Sequence, residues 1–305
     1  MARTRNYLAG IGASTIFGFS FLFTKNALDD IAPHELIFLR FLTAALVMSA
    51  LVLMGFIKLD YRGKDLRTLF LTALFQPLLY FILETEGIRR VESSTAGIIL
   101  SAIPVMVTVL AAFILKERLK PVQVATTLLS FAGVMVVVIF RSAGAVGGQP
   151  LGIVLLILSM LCAASFNIMS RKSSRYFKPA ETTFFMMWFA VISFGGIFAV
   201  RTIMTGGTDL LSRLGPGSIS SILYLGILSS VVAFFLINYN LSKLKSPEAA
   251  VFANLTTLVS VIAGLAFRNE SIRPTDILGG IMIIAGVWGT NVLGGRPPKP
   301  QDQLS

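Results

Sequence analysis

Apolar residues in this chain come in long blocks, not in the two-residue alternation of a strand or the narrow stripe of a soluble helix. Nearly uncharged stretches recur at 7–25, 35–57, 69–88, 96–115, 122–140, 151–170, 181–200, 219–241, 249–267 and 275–294. A run of about 20 apolar residues in a helix spans a hydrocarbon core of about 30 Å. Gly, Ser and Thr are frequent inside the blocks, and charged or Pro-containing turns end them. The pattern therefore predicts ten transmembrane helices in an all-α integral membrane fold, not a barrel.

Composition agrees with that reading. The chain has 305 residues, of which 55% are apolar and 13% charged, with a mean hydropathy of +0.80. A soluble domain carries about 25% charged residues and has no way to hide so much apolar surface. The run after Arg3 and Arg5 reads as a first retained helix, because it is long and lacks a small-residue cleavage site. Cys162, the single cysteine, lies inside a span, which leaves neither a disulfide framework nor a cysteine metal site within the chain. No metal and no cofactor is expected.

A net charge of +11 would point to nucleic acid in a soluble protein. Here the charge follows the loops. With the N-terminus inside, the inner segments hold seventeen Lys and Arg and the outer segments eight, with Arg40 left within a span. Orientation by the positive-inside rule explains this, so the expected partners are the lipid bilayer and a small solute, with no nucleic acid and both termini cytoplasmic. Oligomeric state leaves no trace in the sequence. The tail at 296–305, rich in Pro and polar residues, is expected to be disordered.

The chain also repeats itself. Ser93, Ala96, Glu117, Lys120, Pro121 and Gly133 recur 153 positions later as Ser246, Ala249, Glu270, Arg273, Pro274 and Gly286. Lys25, Pro33 and Glu35 recur 146 positions later as Arg171, Pro179 and Glu181. The expected division is a first five-helix repeat at 1–145, a second at 146–295, and the tail. An odd number of spans per copy turns the second copy upside down. The KERLK turn at 116–120 has three positive charges on the expected inner side and its copy RNESIR at 268–273 has two on the outer side. Inverted repeats favour a carrier with its solute site near the midplane between the copies, although duplication that merely builds a stable bundle is the plainer alternative.

Two passages carry a family resemblance: SSTAGIILSAIPVMVTVLAAFILKERLKPVQVATTLLSFAGVMVVV at 93–138 and SPEAAVFANLTTLVSVIAGLAFRNESIRPTDILGGIMIIAGVW at 246–288. Each has small residues, a mid-helix Pro or polar residue, a Glu-containing turn and a Gly-bearing closing helix. In these features the chain resembles the ten-helix drug/metabolite transporters built from two EamA-type repeats. Thr257 stands where the first copy has Pro104, and Asn269 precedes Glu270 where a Gly is common. The resemblance implies a secondary carrier, often an exporter of amino acids or other metabolites, with a central cavity reached from each side in turn. The expected location is the inner (plasma) membrane of a bacterium. A lipid-linked metabolite flippase stays open, as does a channel, although no filter-like run or charged ring is apparent. An intramembrane enzyme is poorly supplied, with one His and one Cys in the chain.

Candidate site residues follow from the cost of burying charge in lipid. Arg40, Glu84 and Glu86 fall within apolar runs, where an ionised group costs roughly 2.5–3.5 kcal/mol on insertion scales and takes a partner. Arg40 and Glu84 are expected in the same outer part of the membrane, as a structural ion pair or as a coupling or gating pair. Gln76, Tyr80 and Glu84 stack at four-residue spacing beside Pro77. Their counterparts Ser229, Ala233 and Ile237 do not reproduce the stripe. Asn167 and Asn254 are cavity candidates, with helix-to-helix packing as the alternative. Pro77 and Pro104 are hinge candidates or fixed kinks. Trp188 reads as an interface anchor or packing residue, and His34 as a solvated helix-start residue.

Overall fold

The computed structural model describes residues 2–115, 120–142, 149–205, 209–243 and 246–292, with side chains assigned except at 2–7, 111–115, 138, 141–142, 149, 246–254 and 290–292. Among these residues there are helices and no strands. In chain order they are α1 (Ala2–Ala27), α2 (Pro33–Leu53), α3 (Arg67–Ala73), a π-helical segment π1 (Leu74–Leu79) and α4 (Tyr80–Arg90). Then come α5 (Ser93–Leu100), α6 (Ile103–Leu115), α7 (Pro121–Ser142), α8 (Gln149–Ser173) and α9 (Pro179–Met204). The short α10 (Leu210–Arg213) precedes α11 (Pro216–Leu223), a second π segment π2 (Tyr224–Ala233), α12 (Phe234–Lys243), α13 (Ser246–Arg268) and α14 (Pro274–Val292).

Seven stretches are long and apolar enough to cross a membrane: Leu8–Ala27, Pro33–Leu53, Arg67–Arg90, Ser93–Leu110, Pro150–Ser173, Pro179–Met204 and Pro216–Lys243. Three shorter apolar helices, Pro121–Val137, Leu255–Arg268 and Pro274–Gly289, stand where the fifth, ninth and tenth spans are expected. Length and composition thus mark seven crossing helices among the described residues, against ten expected from the hydropathy pattern. The turn at 116–119 and the tail at 296–305 lie outside the described residues, as does the side chain of Asn254.

Both proline sites coincide with interrupted helices, for the same steric reason. A proline ring clashes with the carbonyl four residues earlier and offers no N–H to it. For Pro77 that residue is Ala73, where α3 ends, and Gln76 leaves the helical region at φ −147°, ψ 118°. For Pro104 it is Leu100, where α5 ends, so the break falls at Ser101–Ala102 and Pro104 sits in the first turn of α6. The segment π2 has no proline. It lies at the position equivalent to π1 in the second copy, because 74–79 advanced by 153 is 227–232.

Helix pairing follows a two-fold rule. α7 packs on α14 and α2 packs on α9, each pair joining equivalent helices of the two copies. Other contacts come in exchanged pairs: α1 with α13 and α6 with α8; α4 with α8 and α1 with α12; α2 with π2 and α9 with π1. Small residues permit the closest of these approaches. A Cβ on Gly133 would stand 2.6 Å from the Gly279 carbonyl oxygen, and one on Gly286 would stand 2.5 Å from that of Thr126. Gly133→Val or Gly286→Val should therefore separate α7 from α14 and cost about 1–3 kcal/mol through overpacking. The check is the melting temperature of the purified chain in detergent, expected to fall by several degrees. Gly280→Ala, with nothing within 4 Å of the added carbon, should not lower it.

Candidate functional site

The buried charges gather where α2, π1, α4 and π2 meet. Arg40 is 3% exposed and its guanidinium is held by neutral groups: Nε donates to Ser230 Oγ at 2.8 Å and Nη2 to Ser229 Oγ at 2.8 Å. The guanidinium carbon lies 4.3 Å from the Phe81 ring centroid and 5.6 Å from that of Phe41, within cation–π reach of both. Gly226 makes this possible. A Cβ there would meet Thr43 at 2.6 Å and the Arg40 carbonyl oxygen at 3.0 Å, so glycine brings the backbone of π2 against α2 and its serines within reach of Arg40.

Glu84 is 4% exposed and sits on α4, one turn beyond Tyr80 and Phe81. Tyr80 Oη donates to Glu84 Oε1 at 3.0 Å, and Oε2 is buried without a hydrogen-bond partner. Arg40 and Glu84 are near enough to interact electrostatically, yet they form no ion pair within 4.0 Å. Of the two readings offered for this pair, the direct ion pair is not formed; Arg40 and Glu84 are held by separate partners in an aromatic surround. Phe41, Phe81, Phe166, Phe194 and Phe234 are all buried there. Phe81 and Phe234 are equivalent residues of the two copies, and their ring centroids lie 6.1 Å apart.

Other expected residues fall around this centre. Gln76 is buried at the helix break. Asn167 Nδ2 donates to the Ala163 carbonyl at 2.8 Å, a bond within its own helix. Glu86 pairs with Arg90 on the same helix. Trp188 is 37% exposed and donates to Ser49 Oγ at 3.1 Å. Sequence reasoning missed Asn238, which is 3% exposed. It accepts from Ser170 Oγ at 2.7 Å and donates to Thr183 Oγ1 at 3.1 Å, tying α12 to α8 and α9. A signal was present, since Thr85 and Asn238 are both polar at the offset of 153. Two shallow apolar grooves, one around Phe70 and Phe185 and the other around Phe184 and Trp188, touch neither Arg40 nor Glu84 and suit lipid chains.

Carboxylates tie the two copies together at the helix ends. Glu35 caps α2 by accepting from the Ala32 N–H at 2.7 Å, and it accepts from Arg213 Nη2 of the other copy at 2.6 Å. Its equivalent Glu181 caps α9 by accepting from the Lys178 N–H at 2.9 Å. The Asp60 N–H at 3.2 Å and Lys64 at 3.7 Å reach Glu181 from the opposite copy. Each copy therefore clamps the other's second helix through the loop that follows its own. Arg213 has its pKa raised, first by the hydrogen bond to Glu35.

Glu270 makes the most extensive tie, accepting from Ser93 N at 2.9 Å, Ser93 Oγ at 2.6 Å and Ser94 N at 2.9 Å, so that it caps α5 from the other copy. Asn269, at φ +52°, turns the chain back to present it; Asn is among the few residues that adopt this left-handed conformation at low cost. Burial alone would raise the Glu270 pKa, but the hydrogen bonds from Ser93 and Ser94 outweigh it and hold the carboxyl below its ordinary value.

Comparison with known proteins adds what geometry lacks. The model of the EamA-like transporter family matches the chain twice, at residues 4–139 and 150–292. The chain belongs to that family. It is 37% identical over 292 residues to the uncharacterized transporter YcxC of Bacillus subtilis (strain 168), covering 95% of this chain and 94% of the relative. It is 25% identical over 279 residues to an uncharacterized transporter of Archaeoglobus fulgidus, covering 90% and 94%. A solved crystal structure matches with a TM-score of 0.64 at 17% identity, over 95% of this chain and 98% of that one, which speaks to the fold alone. This EamA-like chain is thus a multi-pass membrane protein with two repeats, among transporters and not enzymes.

The Glu270 tie has a pH signature. Because its folded pKa is depressed, the tie's stabilisation is fully present above the ordinary carboxylate value of 4.5 and is lost as pH falls through the lower folded value. Glu270→Gln should lower the melting temperature at pH 7 and remove part of the decline on acidification below about pH 5. A melting temperature for this variant that tracks the parent from pH 7 to pH 3 would contradict the assignment.

Proposed function

We propose that the chain is a secondary transporter that exports amino acids or related small metabolites by alternating access. In this reading all ten helical stretches cross the membrane, the repeats at 1–145 and 146–295 are inverted, and both termini face the cytoplasm of a bacterial inner membrane. The observation that carries it is the two-fold exchange of helix pairings around the buried centre of Arg40, Ser229, Ser230 and Glu84. Two packings related by such an axis are nearly equal in energy, because each contact broken on one side has an equivalent to form on the other.

The parts fall into place under this reading. With the N-terminus inside, the Glu35–Arg213, Glu270–Ser93 and Arg268–Asp29 ties lie at the outer face, and the Glu181 clamp lies at the inner face. The interruptions at π1, π2 and Ser101–Ala102 are where helices bend as the copies rock. Arg40, Gln76, Tyr80 and Glu84 face the solute, and Asn167 lines its path. Pro77 and Pro104 fix where the hinges fall.

The test is transport by the purified chain in liposomes preloaded with a metabolite pool. Saturable counterflow that needs no ATP is expected. Non-saturating flux, or no flux with any pool, contradicts the reading.

A further inference from the structure

The two buried charges at the centre are each incompletely matched. Arg40, a full positive charge, has two neutral hydroxyls and the faces of Phe41 and Phe81. Its Nη1 has no hydrogen-bond partner among the described residues. Glu84 has the Tyr80 hydroxyl on one oxygen and nothing on the other. Each is at least nine-tenths buried, where an opposite charge a few ångströms away attracts far more strongly than in water. The fold nevertheless keeps them apart. Phe81 packs on the guanidinium one helical turn before Glu84, and the Ser229 and Ser230 hydroxyls hold Nη2 and Nε on the side of π2.

A ligand bearing a negative and a positive group on neighbouring atoms would complete both charges at once. Its carboxylate would take the guanidinium in the paired geometry that favours Arg, a stronger interaction than the neutral hydroxyls it replaces. Its ammonium would meet the free Oε2 of Glu84. A simple anion leaves Glu84 unmatched and a simple cation leaves Arg40 unmatched, so each loses half of the site. The side chains of the surrounding cluster include Phe41, Phe81, Phe166 and Phe234, which suit contact with an apolar side chain.

We propose that Arg40 and Glu84 are the two poles of a zwitterion site: Arg40 receives the carboxylate of an apolar α-amino acid, Glu84 receives its ammonium, and Ser229 with Ser230 holds Arg40 in place when the site is empty. The proposal rests on the reading of this centre as the solute site. It makes Arg40 the residue that rejects amides and Glu84 the one that rejects deaminated acids.

The experiment measures binding to the purified full-length chain by thermal stabilisation, with L-leucine, L-leucinamide and 4-methylpentanoate as probes and L-phenylalanine with its corresponding amide and acid as a second set. The amino acids should bind at least about tenfold more tightly than either analogue, since a site built for a polar group is left unpaired by a ligand that lacks it. Arg40→Gln should abolish the preference over the amide while keeping that over the acid, and Glu84→Gln should do the reverse. Arg40→Lys, which keeps the charge but not the paired geometry, should retain a weakened preference over the amide, so loss of folding is not mistaken for loss of a pole. Amides or deaminated acids that bind as well as the amino acids overturn the proposal, as do folded variants that keep both preferences. If neither amino acid binds while another metabolite shows saturable counterflow, the poles are refuted and the carrier reading stands; with no counterflow of any metabolite, both fall.

Discussion

The bundle is organised around one buried guanidinium. Arg40 leaves α2 of the first copy and is held by Ser229 and Ser230 of the second, so the interaction that solvates the charge also fastens the two copies at their centre. A charge this deep in a membrane protein is expensive and is kept company by protein or water. Here the company is two hydroxyls and aromatic faces, a modest set compared with a carboxylate. The close approach at Gly226, the widened turn of π2 and the exclusion of Glu84 from direct pairing all serve this arrangement.

Around that centre the structure is built twice. Glu35 and Glu181 start equivalent helices with the same backbone cap and reach a loop of the opposite copy, so the ends of α2 and α9 are clamped by the same device. Gly133 and Gly286 hold α7 and α14 at another self-paired contact. The equivalent rings of Phe81 and Phe234 also meet across the two copies. Near the middle the chemistry of the copies differs: Arg40 is matched by Met186, Tyr80 by Ala233 and Glu84 by Ile237. Packing is duplicated, and these buried polar groups are not.

Much of this was legible in the sequence because some residues are costly wherever they occur. Arg40 and Glu84 stand out as charges inside apolar runs, and the recurrence of Gly133 as Gly286 marks a packing face. The carboxylate ties of Glu35, Glu181 and Glu270 were visible as repeated letters, but their partners were not. Ser229 and Ser230 stayed hidden because serine is common in membrane helices and nothing local marks it as a ligand. Without a proline, π2 has no breaker to announce it. Pro77 and Pro104 signalled interruptions whose positions follow from the carbonyls of Ala73 and Leu100, four residues upstream. Asn167 and Asn238 look alike in sequence; only the fold shows one bonded to its own helix and the other joining three helices.

The central claim of the proposed reading is that the centre around Arg40 becomes accessible from each side of the membrane in turn. Ser229→Cys in a Cys162→Ala background places the single thiol at that point, and a membrane-impermeant thiol reagent can be applied to oriented vesicles from either face. Alternating access predicts labelling from each face applied alone, with the amino acid or metabolite that drives counterflow slowing both reactions. Labelling from one face only, however long the exposure, would contradict the account.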